Sequence, residues 1–140
     1  MARVTVPDGR LAISIWRELD RYPFFRAFAD VLESFFGEEE TASFHASCSL
    51  ADRNRLRSLL TDAGFHNVHI RLEATMAPYP SIDELISGYL AAIPLAAEIA
   101  GRKDKDRLEM SQLIITSLGD YLDDDGLAAP MECHIVTADG

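Results

Sequence analysis

Three stretches of this chain read as β-strands: Leu11 to Trp16, residues 65–75 and residues 131–137. Long helical or polar segments separate them. The first is a short apolar run with β-branched Ile13 and Ile15, the pattern of a strand covered on both faces. The second alternates, with Val68, Ile70, Leu72 and Ala74 facing one way and His69, Arg71 and Glu73 the other, the pattern of a strand with one wet side. Whatever fold the chain adopts has to assemble one small sheet from strands far apart in sequence.

The segments between them punctuate clearly. Residues 24–36 space Phe24, Phe28, Val31, Leu32, Phe35 and Phe36 three and four apart, an amphipathic helix that Gly37 stops. Residues 38–49 are polar and expected to be irregular. Asp52 is placed to cap a helix with Leu56, Leu59, Leu60 and Ala63 on one face, and Gly64 ends it. Pro78-Tyr79-Pro80 reads as a breaker, and Ser81 with Glu84 forms a capping box for a helix over 82–92. Beyond Pro94 a short turn of helix is expected over 95–100, then a long helix over 106–122 with Leu108, Ile115, Leu118 and Leu122 inward. Asp123-Asp124-Asp125-Gly126 reads as a solvated turn. No repeat, low-complexity tract or long linker divides the chain, so residues 1–140 are expected to form a single domain.

With 48% hydrophobic residues in 140, the chain can bury a real core. Its net charge of -10 argues against nucleic acid and anionic membranes as partners. No run approaches the roughly 20 apolar residues that cross a bilayer, and Cys48 and Cys133 fit reduced thiols, so a cytoplasmic location is expected. No metal site is expected. His66 and His69, three apart on a strand, should face opposite ways, as should Cys133 and His134, and His45 with Cys48 lacks further ligands. The aspartate run lacks the spaced ligands and closing glutamate of a calcium loop. Nucleophile motifs, phosphate loops and zinc spacings are absent.

Val6-Pro7-Asp8-Gly9-Arg10 leads into the first strand, Ala63-Gly64-Phe65 into the second, and Asp124-Asp125-Gly126-Leu127 to Met131-Glu132-Cys133-His134-Ile135 closes the order. In that sequence of turns and strands the chain resembles the C-terminal portion of class I S-adenosylmethionine (SAM)-dependent methyltransferases, in the small-molecule subgroup similar to quinone-biosynthesis enzymes. The resemblance departs at Asp8, where the family turn has glycine; aspartate visits the left-handed region more readily than most residues. It implies an α/β, partial Rossmann-like fold: a three-stranded mixed sheet in the order 5-7-6 of the parent fold, with about four or five helices.

The resemblance also implies what is missing. The family holds SAM on a glycine-rich loop after its first strand, and the eight glycines here are scattered singly. No residue of this sequence is therefore assigned to SAM, and a truncated chain of this kind would not be a competent transferase alone. The corresponding part of the family covers the methyl acceptor, which makes Trp16, Tyr22, Phe24, Phe25, Tyr79 and Tyr89 candidates for an apolar substrate pocket, against the plainer reading of aromatics at helical spacing as core. No catalytic residue is identified. The strand from Leu11 to Trp16 would be an open edge where the parent fold's fourth strand pairs, so a homodimer through that edge or by helix exchange is expected, or a separate SAM-binding partner chain. Two functions follow: the substrate-side portion of a methyltransferase, or a noncatalytic homodimeric small-molecule-binding or interaction module. An unrelated α+β domain with the same strand and turn order is a third reading.

Overall fold

The computed structural model describes residues 5–6 and 8–140, so Pro7 of the expected opening turn lies outside the described residues. The elements run β1 (Arg10–Trp16), α1 (Pro23–Phe36), α2 (Glu38–Ser47), α3 (Arg53–Asp62), β2 (His66–Tyr79), α4 (Ile82–Ala92), α5 (Ala96–Ala100), α6 (Asp104–Ser117), β3 (Leu122–Asp123) and β4 (Gly126–Asp139), with 3-10 turns at Leu19–Arg21 and Gly119–Tyr121. This is an α/β chain whose sheet order is β1-β4-β2, every pairing antiparallel, with the two-residue β3 also on β4. No helix among the described residues is long and apolar enough to cross a membrane.

The local causes are visible at the turns. Asp8 sits at φ 62°, the left-handed region that the turn into β1 demands, and the Gly9 amide donates to the Val6 carbonyl at 2.9 Å. Asp52 caps α3 by accepting from the Arg55 amide at 2.6 Å, and Ser81 caps α4 by accepting from the Glu84 amide. Gly64 ends α3 at φ 94°.

β4 carries the packing. Directly opposed residues share a sheet face, so its alternate residues sort the core. Near its start Leu127 and Ala129 turn towards α1, α4, α5 and α6, joining Phe28, Leu32, Ile86, Met110, Ile114 and Leu118. Near its end Val136 and Ala138 turn the other way, joining Leu56 and Leu60 of α3, Leu11, Ile70 and Phe65. Buried His134 sits between, Nε2 3.0 Å from the Ala51 carbonyl and Nδ1 without a partner among the described residues. The two helical layers thus cover opposite faces of the sheet at opposite ends.

Several expectations are corrected. Among the described residues the sheet has four strands, all paired antiparallel, where three in a mixed sheet were expected, because the aspartate run is a β-hairpin: the Asp125 amide bonds Asp123 Oδ1, Gly126 takes φ 111°, and Leu122 pairs with Leu127. The described residues form six α-helices, not four or five, because residues 38–47 form α2. Only Thr41 and Phe44 of that helix are buried, which leaves no amphipathic stripe to read, while three glutamates in its first turn suit the helix dipole. In α6 the inward residues are Met110 and Ile114, with Leu118 just beyond its end, and Leu108 is 71% exposed. The alternation of β2 holds at Ile70 and at half-buried Val68, which packs on the same core. Leu72 and Ala74 are exposed because α3 covers that face no further along. β4 is twice the expected length; Pro130 is tolerated in it because β1 has ended at Trp16, opposite Cys133, and no second strand pairs there.

The glycines give the sharpest test of this backbone. A Cβ on Gly126 would press on the Tyr79 carbonyl and sit 2.9 Å from Pro80 Cα at a left-handed φ, whereas one on Gly88, exposed in α4, meets nothing within 4 Å. Gly126→Ala is expected to cost roughly 2 kcal/mol or more, and Gly88→Ala to stabilise by about 0.5–1 kcal/mol. Urea unfolding of the two variants checks both signs.

Candidate functional site

The cavity that matters lies at the carboxyl end of β1. There Trp16 ends the strand, the chain turns through Leu19 and Tyr22 into α1, and α2 and α4 close the sides with Phe44 and Tyr89. The enclosed volume is about 180 Å³. That suits a single aromatic ring, since an engineered apolar cavity of about 150 Å³ takes benzene.

All six aromatics singled out from sequence meet in one continuous set of ring contacts. Trp16 packs edge-on to Tyr22 at 5.4 Å, Tyr22 meets Phe25 at 6.0 Å, and Phe25 meets Tyr89 at 5.5 Å. Tyr89 touches Phe24 at 5.5 Å, and Phe24 stacks on Tyr79 at 6.1 Å. Trp16, Tyr22, Phe25 and Tyr89 line the cavity; Phe24 and Tyr79 lie behind it as packing. The plainer core reading therefore fits those two. Leu19, Phe44, Ser47 and Cys48 also line it and were not anticipated. Three of these four belong to α2 or its C-cap, the helix without a readable stripe.

The polar groups of the site are few and mostly engaged. The Tyr22 hydroxyl, on a residue 2% exposed, accepts from the Arg17 amide at 2.8 Å. Burial pushes its pKa up to about 12, so at neutral pH it is a hydrogen-bond donor and not a base. Burial also raises Tyr89. Ser47 Oγ donates to the Phe44 carbonyl at 2.6 Å and lies 3.8 Å from Cys48 Sγ. Beside the site, Arg17 forms an ion pair with Glu132 at 3.0 Å, both half-buried, which fixes the end of β1 to β4. No carboxylate or imidazole lines the cavity. The arrangement can hold and orient an apolar group, and by itself it offers no general base.

The opposite facing expected of His66 and His69 does not hold. A register shift between His66 and His69, with Asn67 at φ 50°, sets them opposite Asp139 and Thr137, which share a face. Both histidines thus lie on one face. Even so, among the described residues no group of three or more His, Cys, Asp or Glu is placed to hold a metal ion.

Compared with protein-family models and with curated proteins, the chain finds no match in either set.

Because the Tyr22 phenol is held neutral, folding stability contributed by it is fully present below pH 10 and is lost as pH rises through about 12. Tyr22→Phe is expected to remove that alkaline loss, and to lower stability at neutral pH by about 1–3 kcal/mol by stranding the Arg17 amide. Chemical denaturation as a function of pH checks both effects.

Proposed function

We propose that the chain is the acceptor-side portion of a class I SAM-dependent methyltransferase fold, holding a small aromatic or apolar group in the β1 cavity. The observation that carries this reading is the sheet. Its order β1-β4-β2, with β4 antiparallel to both neighbours, is the order and direction expected of strands 5-7-6. On this reading β3 is an added hairpin strand at the entry to strand seven. Further support comes from the position of the cavity at the carboxyl end of β1, where open α/β folds bind ligands.

The residues present do not fit SAM itself. The three glycines at positive φ lie between two helices (Gly37), after a helix (Gly64) and in a hairpin (Gly126); none leads from a strand into a helix as a methionine-binding loop does. The cofactor is accordingly assigned to residues outside this sequence. What this chain would contribute is orientation: Trp16 and Phe25 clamp a ring, and the Tyr22 hydroxyl supplies a donor.

The outer edge of β1 pairs with no strand among the described residues. This reading places there either the fourth strand of a cofactor-binding partner or the same strand of a second copy, with exchange of helices as the other route to a homodimer. A noncatalytic, homodimeric small-molecule-binding module is the second reading, favoured by the lack of any carboxylate or imidazole in the cavity.

Trp16 is the only tryptophan and is 45% exposed at the cavity wall, so its fluorescence reports occupancy. Titration of the purified chain with p-cresol is expected to give a saturable change that Cys48→Phe, which fills the cavity, abolishes. Calorimetry with SAM is expected to show no binding, and light scattering on the same sample a dimeric mass. Tight SAM binding would overturn the assignment of the cofactor elsewhere. A cresol response unaltered by Cys48→Phe would overturn the pocket.

A further inference from the structure

Positive charge with little acidic charge beside it gathers on α3 and the start of β2. Four of the chain's thirteen Lys and Arg, and only one of its twenty-three Asp and Glu, fall between residues 53 and 71. Arg53 and Arg57, one turn apart on α3, reach to the backbone of β2: Arg53 donates to the Ile70 carbonyl at 2.8 Å and Arg57 to the Val68 carbonyl. Those acceptors are neutral, so each guanidinium keeps its full charge and most of its five donors. No carboxylate among the described residues pairs with either.

The sheet face turned away from α3 is uncovered at this end. The bulge at Asn67 puts His66 and His69 on that face with Arg71, in register with Asp139, Thr137 and Ile135 of β4. Arg53, Arg57, His69 and Arg71, with Ile135 and Thr137, line an open groove of about 550 Å³. The neighbouring carboxylates are already engaged. Glu73 pairs with Arg71, Asp139 is held by Arg10 and Asn67, and Asp52 caps α3.

We propose that this groove binds the oxyanion of a small ligand, a phosphate or a carboxylate, gripped by Arg53 and Arg57. Their bonds to β2 hold the two guanidinium forks in place before a ligand arrives, which lowers the ordering cost of binding. Arg71 adds a third cation that the ligand shares with Glu73. The groove is lined from α3, β2 and β4 and shares no lining residue with the aromatic cavity, so the inference does not rest on the methyltransferase reading.

The test is titration of the isotopically labelled full chain with inorganic phosphate and, separately, acetate, following the arginine side-chain NMR signals. Sodium chloride at equal ionic strength is the control. Saturable shifts at Arg53 and Arg57 are expected with at least one oxyanion and not with chloride, and the tighter of the two identifies the ligand class. R53Q combined with R57Q is expected to weaken binding about tenfold or more. Because that pair also braces β2, E73Q provides an independent arm: it frees Arg71 without touching the edge, and is expected to tighten binding. Shifts that chloride reproduces, or an E73Q affinity unchanged or weaker, would overturn the proposal.

Discussion

The structure hangs on one strand serving two cores. β4 runs fourteen residues, pairs with every other strand, and sends alternate side chains to opposite faces. Leu127 and Ala129 anchor the larger helical layer, while Val136 and Ala138 anchor α3. A strand period of two makes this arrangement rigid: a one-residue slip would carry both sets out of their cores together. The hairpin at Gly126 and the half-buried Arg17–Glu132 pair hold the register at two points along the strand.

What the sequence discloses follows from how each signal arises. Apolar runs, cap residues and glycine stops act locally, so β1, α1, α3 and α4 were legible from residues such as Asp52, Ser81 and Gly37. Signals that depend on partners were not. α2 has almost no stripe because only Thr41 and Phe44 are covered, and Leu108 looked inward because its spacing with Ile115 mimics a face that Met110 and Ile114 occupy. The bulge beside Asn67 is one residue of backbone geometry, yet it reverses the relative facing of His66 and His69.

The candidate site divides the same way. Its aromatics were legible because rings at a strand end and along α1 carry their own signal. Phe44, Ser47 and Cys48 were not, since they reach the cavity only through the packing of α2 on α1. The aromatic set also gives the cavity its shape: edge-on ring contacts of the Trp16–Tyr22 kind fix wall geometry without using polar groups.

Covering each end of a sheet on one face leaves the opposite face bare at each end, and the two bare faces differ in chemistry. Towards the carboxyl end of β2 the bare face carries Leu72 and Met76, 50% and 55% exposed. At its amino end the bare face carries histidines and arginines, and Arg53 and Arg57 also occupy carbonyls of β2, a device that blunts strand edges against unwanted pairing. The net charge of -10 shapes how that cationic end can act. At long range the chain repels anions, and salt screens charges beyond about 8 Å under physiological conditions. An anion therefore gains nothing from steering and meets the groove only on contact. Selectivity then falls to the geometry of two braced guanidinium forks, which favours ligands with paired oxygens over simple halides.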